Sequence, residues 1–307
     1  LQKKIFSTAY ELHPYHHPII GWKEDIESTN VDKLQNFYDT YYWPNNAVLT
    51  IIGGVDKAAT LESIKQYFGA IPSSPNPIPT LEIVEPEQTK SRFVEVQRSG
   101  EVGAVLIANK IPEGTHPDWP SLLLLCEILG AEKIGRLYKA LDDKGLASAS
   151  YVFPRRLKDP GLLFFGATLT AETTHEQIQE ILFSEIKKIV ENGVTDDELK
   201  HAKSVYFTNL IYSKDGSFHI ADLINDAIAI GDWTDYINFP KAIEQTTSED
   251  LRRVARTYLN KNQQTIGWFI PQLTGISQNP IPENLTEPYY LKDPYEKLDI
   301  WENKYQS

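Results

Sequence analysis

The sequence predicts an α+β protein made of repeated two-layer domains, each a mostly antiparallel sheet with helices on one face. Three observations carry this. Between positions 92 and 271, strand-like runs are grouped ahead of most helix-like runs instead of alternating with them, the order of an α+β domain and not of a parallel βαβ one. A helix, corner and strand unit then occurs twice. Leu34, Phe37, Thr40, Tyr41 and Asn45 return as Leu251, Val254, Thr257, Tyr258 and Asn262, each pair 217 residues apart (251 − 34 = 217). The apolar runs that follow, 48–52 and 265–269, keep the same spacing. A separation this long marks two copies of one domain, not a solenoid. Finally, five prolines fall within residues 72–91 and separate the copies.

Taken in order, residues 1–10 read as the end of a helix. The following HPYHHPIIGW is a rigid loop packed by Tyr15, Ile19 and Trp22. Its His13, His16 and His17 invite a metal reading, but no acid stands at helical spacing to complete a ligand set. Asn30 is a fair N-cap, and Leu34, Phe37 and Tyr41 share one helical face. Pro44 stops that helix because it has no N–H and restricts the residue before it. Residues 47–52, apolar and partly β-branched between Pro-Asn-Asn and Gly-Gly, predict a buried strand. A second helix carries Leu61, Ile64 and Phe68 on one side.

Residues 72–91 predict an extended linker with little capacity for a core. The second copy then runs over 92–271. Strands are expected at 92–97 and 102–109. A helix opens at Asp118, runs through Leu122, Leu125, Cys126 and Leu129, and is closed by Gly130. Another helix covers 134–144. Strands at 148–153 and 162–169 are joined by the polar turn PRRLKDPG. A long amphipathic helix carries Ile178, Leu182, Ile186 and Ile189. Capping boxes at Thr195 to Glu198 and Thr246 to Glu249 open two more helices, and 218–230 forms another. Residues 272–307 form an extension or linker in which Tyr289, Tyr290 and Trp301 favour docking on something.

Composition narrows the function. There are 42 acidic against 30 basic residues, a net charge of −12, which disfavours nucleic acid and anionic membrane as partners. Cys126 is the single cysteine, so an intrachain disulfide and a thiolate zinc cluster are excluded. No apolar run reaches the length of a membrane span, and the start lacks a signal-peptide core. No Gly-rich phosphate loop or G-x-S-x-G is present, which leaves a small-molecule enzyme without a supporting motif.

In their order and spacing, HPY, then FYDTYYWPNNAVLTIIGGVD, YFGAIP, PDWPSLLLLCEILG, GRLYKALDDKGLAS, TDDELKHAK and TSEDLRRVARTYL resemble the pitrilysin/insulinase family of zinc metallopeptidases, which includes mitochondrial processing peptidase and bacterial relatives. The resemblance covers nearly all of residues 9–271. It implies two α+β domains per half, the first carrying H-x-x-E-H and a later glutamate as zinc ligands. This sequence has no H-x-x-E-H; His175-Glu176 and His116-Pro-Asp118 do not fit it. The family's third ligand lies shortly before the HPY loop and so falls ahead of Leu1. The second-copy helix that corresponds to the zinc helix is 121–129, with Glu127 and no histidine. The family's substrate-gripping Arg and Tyr, carried by the half without zinc, fall here on Leu141 and Ser148.

The expectation is therefore a fragment. Residues 1–71 are the C-terminal part of a first domain whose zinc-bearing part, roughly 125 residues if the copies are equal, lies elsewhere. Residues 72–91 are the linker, 92–271 a complete second domain, and 272–307 an extension. The resemblance implies a zinc-dependent endopeptidase that degrades or processes unfolded peptides in a closed chamber, this segment forming wall. Zinc belongs to the parent protein, and no catalytic or metal residue is expected here. The loop with His13 and Tyr15 is the candidate chamber-facing element. The expected partners are a peptide substrate, the zinc-bearing part, and a second half or subunit. The alternative is a non-catalytic scaffold or assembly subunit of the same fold, which upstream sequence would discriminate. The bacterial periplasm is favoured over the cytoplasm.

Overall fold

Local capping signals set most of the helices. In the computed structural model, which describes residues 1–272, α1 spans Gln2–Ala9 and a 3-10 turn, Pro14–His16, follows it. α2 (Lys23–Ser28) is a short helix that the sequence pattern did not reveal. α3 (Val31–Tyr41) starts where the Asn30 side chain accepts from the Lys33 N–H, and a 3-10 turn, Pro44–Asn46, follows. α4 (Lys57–Phe68) starts at Asp56, which accepts from the Ala59 N–H.

After the linker come β1 (Arg92–Ser99), β2 (Ala104–Lys110), α5 (Trp119–Gly130), β3 (Ala147–Arg155) and β4 (Leu162–Leu169). The chain continues as α6 (His175–Asn192), α7 (Asp196–Tyr212), α8 (Ser217–Ile230), α9 (Asp235–Gln245), α10 (Ser248–Tyr258) and β5 (Gln264–Gln272). The five strands form one sheet in the order β1-β5-β2-β4-β3. β1 and β5 run parallel and every other pair is antiparallel.

Strand alternation divides the core. Val105, Ile107, Leu163, Phe165 and Ala167 point to one face, where they pack against α5, α6 and α10. Leu106, Ala108, Leu162 and Phe164 point to the other face, where they meet Ile5 and Ala9 of α1 and Tyr10 just after it. So α1, although it precedes the linker, is bedded on the sheet that follows the linker. Gly267 makes room for it: a Cβ there would lie 2.8 Å from the Ile5 side chain. Among the described residues no helix is long and apolar enough to cross a membrane.

The repeat is visible in the backbone. α3 and α10 begin and end 217 residues apart (248 − 31 and 258 − 41), and so do the 3-10 turns Pro44–Asn46 and Lys261–Gln263. The symmetry stops there. Thr265 to Phe269 lie in β5, whereas 47–52, expected as a buried strand, form no strand, and Val48 and Leu49 stand exposed. β5 is hydrogen-bonded on both sides, by β1 and β2; residues 47–52 pair with no strand among the described residues, and a strand exists only by pairing. Thr50 Oγ1 instead donates to Asn225 Oδ1 of α8 at 2.7 Å.

Four further expectations are corrected. The stretch 134–144 is not a regular helix; it contains a π-helical turn, Tyr138–Asp142, with Asp143 N–H donating to Tyr138 O (3.0 Å) and Leu146 N–H to Leu141 O (2.9 Å). The widened turn keeps Leu137 and Leu141 both inside the core. The second capping box is Thr247 with Asp250, one residue later than expected, because Thr246 donates its hydroxyl to Ala242 O at the end of α9. Asp118 stands at the N-cap of α5 but its side chain caps nothing there. The linker is more than a spacer, since Gln88 is buried and donates to Gln264 O at 2.7 Å. Tyr289, Tyr290 and Trp301 lie outside the described residues.

Candidate functional site

The loop after α1 is held by one carboxylate. The backbone N–H groups of Glu11, Leu12 and His13 donate to Glu85 at 2.8, 2.9 and 2.9 Å, and Lys110 Nζ reaches the same group at 3.1 Å. Burial opposes ionisation of Glu85, but these donors outweigh it and hold its carboxyl at about 2. Burial also lowers the Lys110 ammonium, with Glu85 acting against that. Lys110 lies over the Tyr10 ring at 4.9 Å, and the buried Tyr10 hydroxyl donates to Pro160 O at 2.7 Å.

The structure brings His13 and Tyr15 together. Their rings meet edge to face at 4.2 Å. His13 is 4% exposed. Its Nδ1 accepts from the Tyr15 N–H at 3.2 Å, and its Nε2 faces Asp159 Oδ2 at 3.5 Å. The Tyr15 hydroxyl accepts from the Asp159 N–H at 3.2 Å, and burial raises its phenol above the usual value. Both residues therefore fasten the loop to the turn between β3 and β4. The neighbouring histidines diverge: His16 Nδ1 sits 2.9 Å from Tyr10 O, while His17 Nδ1 accepts from Trp22 Nε1 at 2.9 Å.

The counterpart of a zinc helix is α5, whose Leu122, Leu125 and Leu129 are core. Glu127 lines a cleft of about 270 Å³ with His201 of α7, Lys139 and Asp197. Burial raises the Glu127 carboxyl, while the His201 charge acts to lower it. Asp197 and Glu198 also line the cleft, but Glu198 is taken up by Arg136 at 2.7 Å and by the Thr195 N–H at 2.8 Å. Among the described residues no group of three or more His, Cys, Asp or Glu is placed to hold a metal. Leu141 is fully buried, and Ser148 is exposed beside the irregularity between Ala147 and Ala149 in β3.

Pattern reading missed the polar joints. Asp118 accepts from Arg253 at 3.1 and 2.5 Å and from the Tyr258 hydroxyl at 2.9 Å. Burial opposes its ionisation, yet Arg253 and Tyr258 hold it below the usual range. Arg156 grips Asp235 through two 2.8 Å bonds. A capping aspartate gave a position for Asp118 but not its partner, which lies 135 residues away. Glu85 carried no signal at all in its proline-rich surroundings.

Comparison with known proteins agrees with this architecture. Residues 28–206 match the family described as Peptidase M16 inactive domain. Zinc protease PqqE of Helicobacter pylori is 28% identical over 271 residues, a match that covers 87% of this chain and 61% of that protein. The chain thus spans about three-fifths of that relative's length. The crystal structure of a protease from Helicobacter pylori superposes with a TM-score of 0.83 at 27% identity, covering 87% of this chain and 66% of that one. The peptidase M16 inactive domain from Pseudomonas fluorescens shares the fold, with a TM-score of 0.78 at 19% identity over 89% of this chain and 65% of that one.

Proposed function

This chain belongs to the peptidase M16 inactive-domain family, and from that membership we propose that it is the non-catalytic wall of a zinc metalloendopeptidase. The observation that carries this is the family match across residues 28–206, joined to an α5 that has Glu127 and core leucines where a zinc helix needs histidines. In this reading the zinc is held by another part of the parent protein, and an unfolded peptide is enclosed between this segment and a zinc-bearing partner half. Loop residues His13 and Tyr15 position the wall by tying residues 11–16 to Asp159; neither donates a proton or binds metal.

The test is direct. Zinc content and cleavage of an unfolded peptide are measured on the purified chain, with and without a chelator. Substoichiometric zinc and no chelator-sensitive cleavage are expected. One zinc per chain with cleavage abolished by chelator would overturn the proposal.

A further inference from the structure

The outer edge of a sheet carries backbone groups that a strand from elsewhere can pair with. Here the edge strands are β1 and β3. In an antiparallel pair, alternate residues turn their N–H groups toward the partner and away from it. The Ser150 N–H donates to Asp142 Oδ1 at 2.9 Å, so it is one of those turned away from β4. By the same alternation, Val152 and Pro154 are turned away as well.

Each of these three positions is taken out of use in its own way. Ser150 has its donor occupied by the carboxylate on which the π-helical turn Tyr138–Asp142 ends. The second oxygen, Asp142 Oδ2, is dry and has no partner among the described residues, so the carboxylate sits there at a cost in solvation. Val152 has the end of α5 against it: a Cβ on Gly130 would lie 2.8 Å from the Val152 side chain and 3.0 Å from its backbone nitrogen. Pro154 has no N–H to offer. At the start of the strand the ladder is already broken by the irregularity between Ala147 and Ala149. A cleft of about 370 Å³ borders Val152 and Pro154, and Tyr206 and Asn209 of α7 line the same gap and narrow the approach.

We propose that the outer edge of β3 is closed to strand addition and that Asp142 is the residue that closes it. A strand laid beside β3 must set a carbonyl oxygen where the Ser150 N–H points, and the Asp142 carboxylate already stands there with its negative charge. An extended peptide lying against this domain therefore touches it through side chains and pairs its backbone elsewhere. A second copy of the chain likewise cannot lengthen the sheet through β3. The seal is local, since donor and acceptor lie eight residues apart in the sequence. It rests on the fold alone and stands whether or not the chain walls a peptidase chamber.

Residue-resolved hydrogen exchange on the full chain tests it. In Asp142→Ala the Ser150 amide exchanges about a hundredfold faster than in the wild type, whereas Asp142→Asn, which keeps an acceptor oxygen, stays within about tenfold of the wild type. A neutral, capped peptide that alternates threonine with valine is then added in excess. In the wild type it leaves exchange at Ser150 and Val152 unchanged; in Asp142→Ala/Pro154→Val it slows both. Because the readout is local, pairing of the peptide with β1 does not disturb it. The wild-type measurement needs no variant, so it decides even where a substitution unfolds the chain. The proposal is overturned if the peptide slows these amides in the wild type, if Asp142→Ala leaves the Ser150 rate unchanged, or if the folded double variant gains no protection from the peptide.

Discussion

α3 and α10 share a sequence pattern, a length and a following 3-10 turn, yet they live in opposite surroundings. Leu251 and Val254 of α10 are 0% exposed, while their counterparts Leu34 and Phe37 of α3 are 61% and 57% exposed. The helix survives in both places because its signals are local: a side-chain cap at Asn30 or Thr247 and a stop at the 3-10 turn. The strand after it survives only where β1 and β2 supply partners. One pattern, set twice in one chain, thus separates what a segment carries in itself from what its neighbours provide.

Hydrogen exchange gives the sharpest contrast. Amides of 265–269 should exchange about a thousandfold more slowly than those of 48–52, because the former are bonded within a sheet and the latter open locally. Equal protection in a monomeric sample would mean that 48–52 pairs after all and that the contrast between the copies is false.

Core truncation comes next in size. Leu251→Ala should cost about 3 kcal/mol in urea unfolding, since it empties a buried position. Leu34→Ala should stay within about 0.5 kcal/mol, as befits an exposed one. Similar losses at both positions would show that α3 is covered in solution.

The latch between the two regions has the smallest effect. Glu85→Ala should cost about 2 kcal/mol at neutral pH, because three backbone donors and Lys110 lose a charged acceptor. The sign of its pH dependence follows from a folded-state value of about 2 against an ordinary 4.5. Such a group stabilises fully above the ordinary value and loses that contribution as pH falls toward 2. The difference between the wild type and Glu85→Ala should therefore narrow from pH 4.5 downward. A difference that stays constant would assign the loss to packing.

What was legible follows the same division. The β4 strand was bounded correctly because Leu162–Leu169 is a near-continuous apolar run, and the Thr195 box because its two partners sit three residues apart. The α+β class and the family were readable from order and spacing. Illegible were elements that depend on distant partners: the unpaired run 47–52, the widened turn at Tyr138–Asp142, and α9, where internal Pro240 argues against a helix that forms regardless. The candidate site was half readable. His13 and Tyr15 stood out as residue types, but Glu85 and Asp159, which fix them, come from a linker and a loop 72 and 144 residues away.

The strand order has a consequence for how the protein is made. β5, the latest of the described strands in the sequence, lies between β1 and β2. Until residues 264–272 are synthesised, β1 has no bonded neighbour among the described strands, and only β2, β4 and β3 can assemble, as an antiparallel trio with β4 in the middle. The nascent chain must therefore hold a gap in its sheet through the synthesis of five helices, α6 to α10. Closure waits for β5 to enter from the inside, a long-range step of the slow kind. A pause or a premature stop before position 264 leaves two raw strand edges facing each other, and that is the interval in which a chaperone has something to hold.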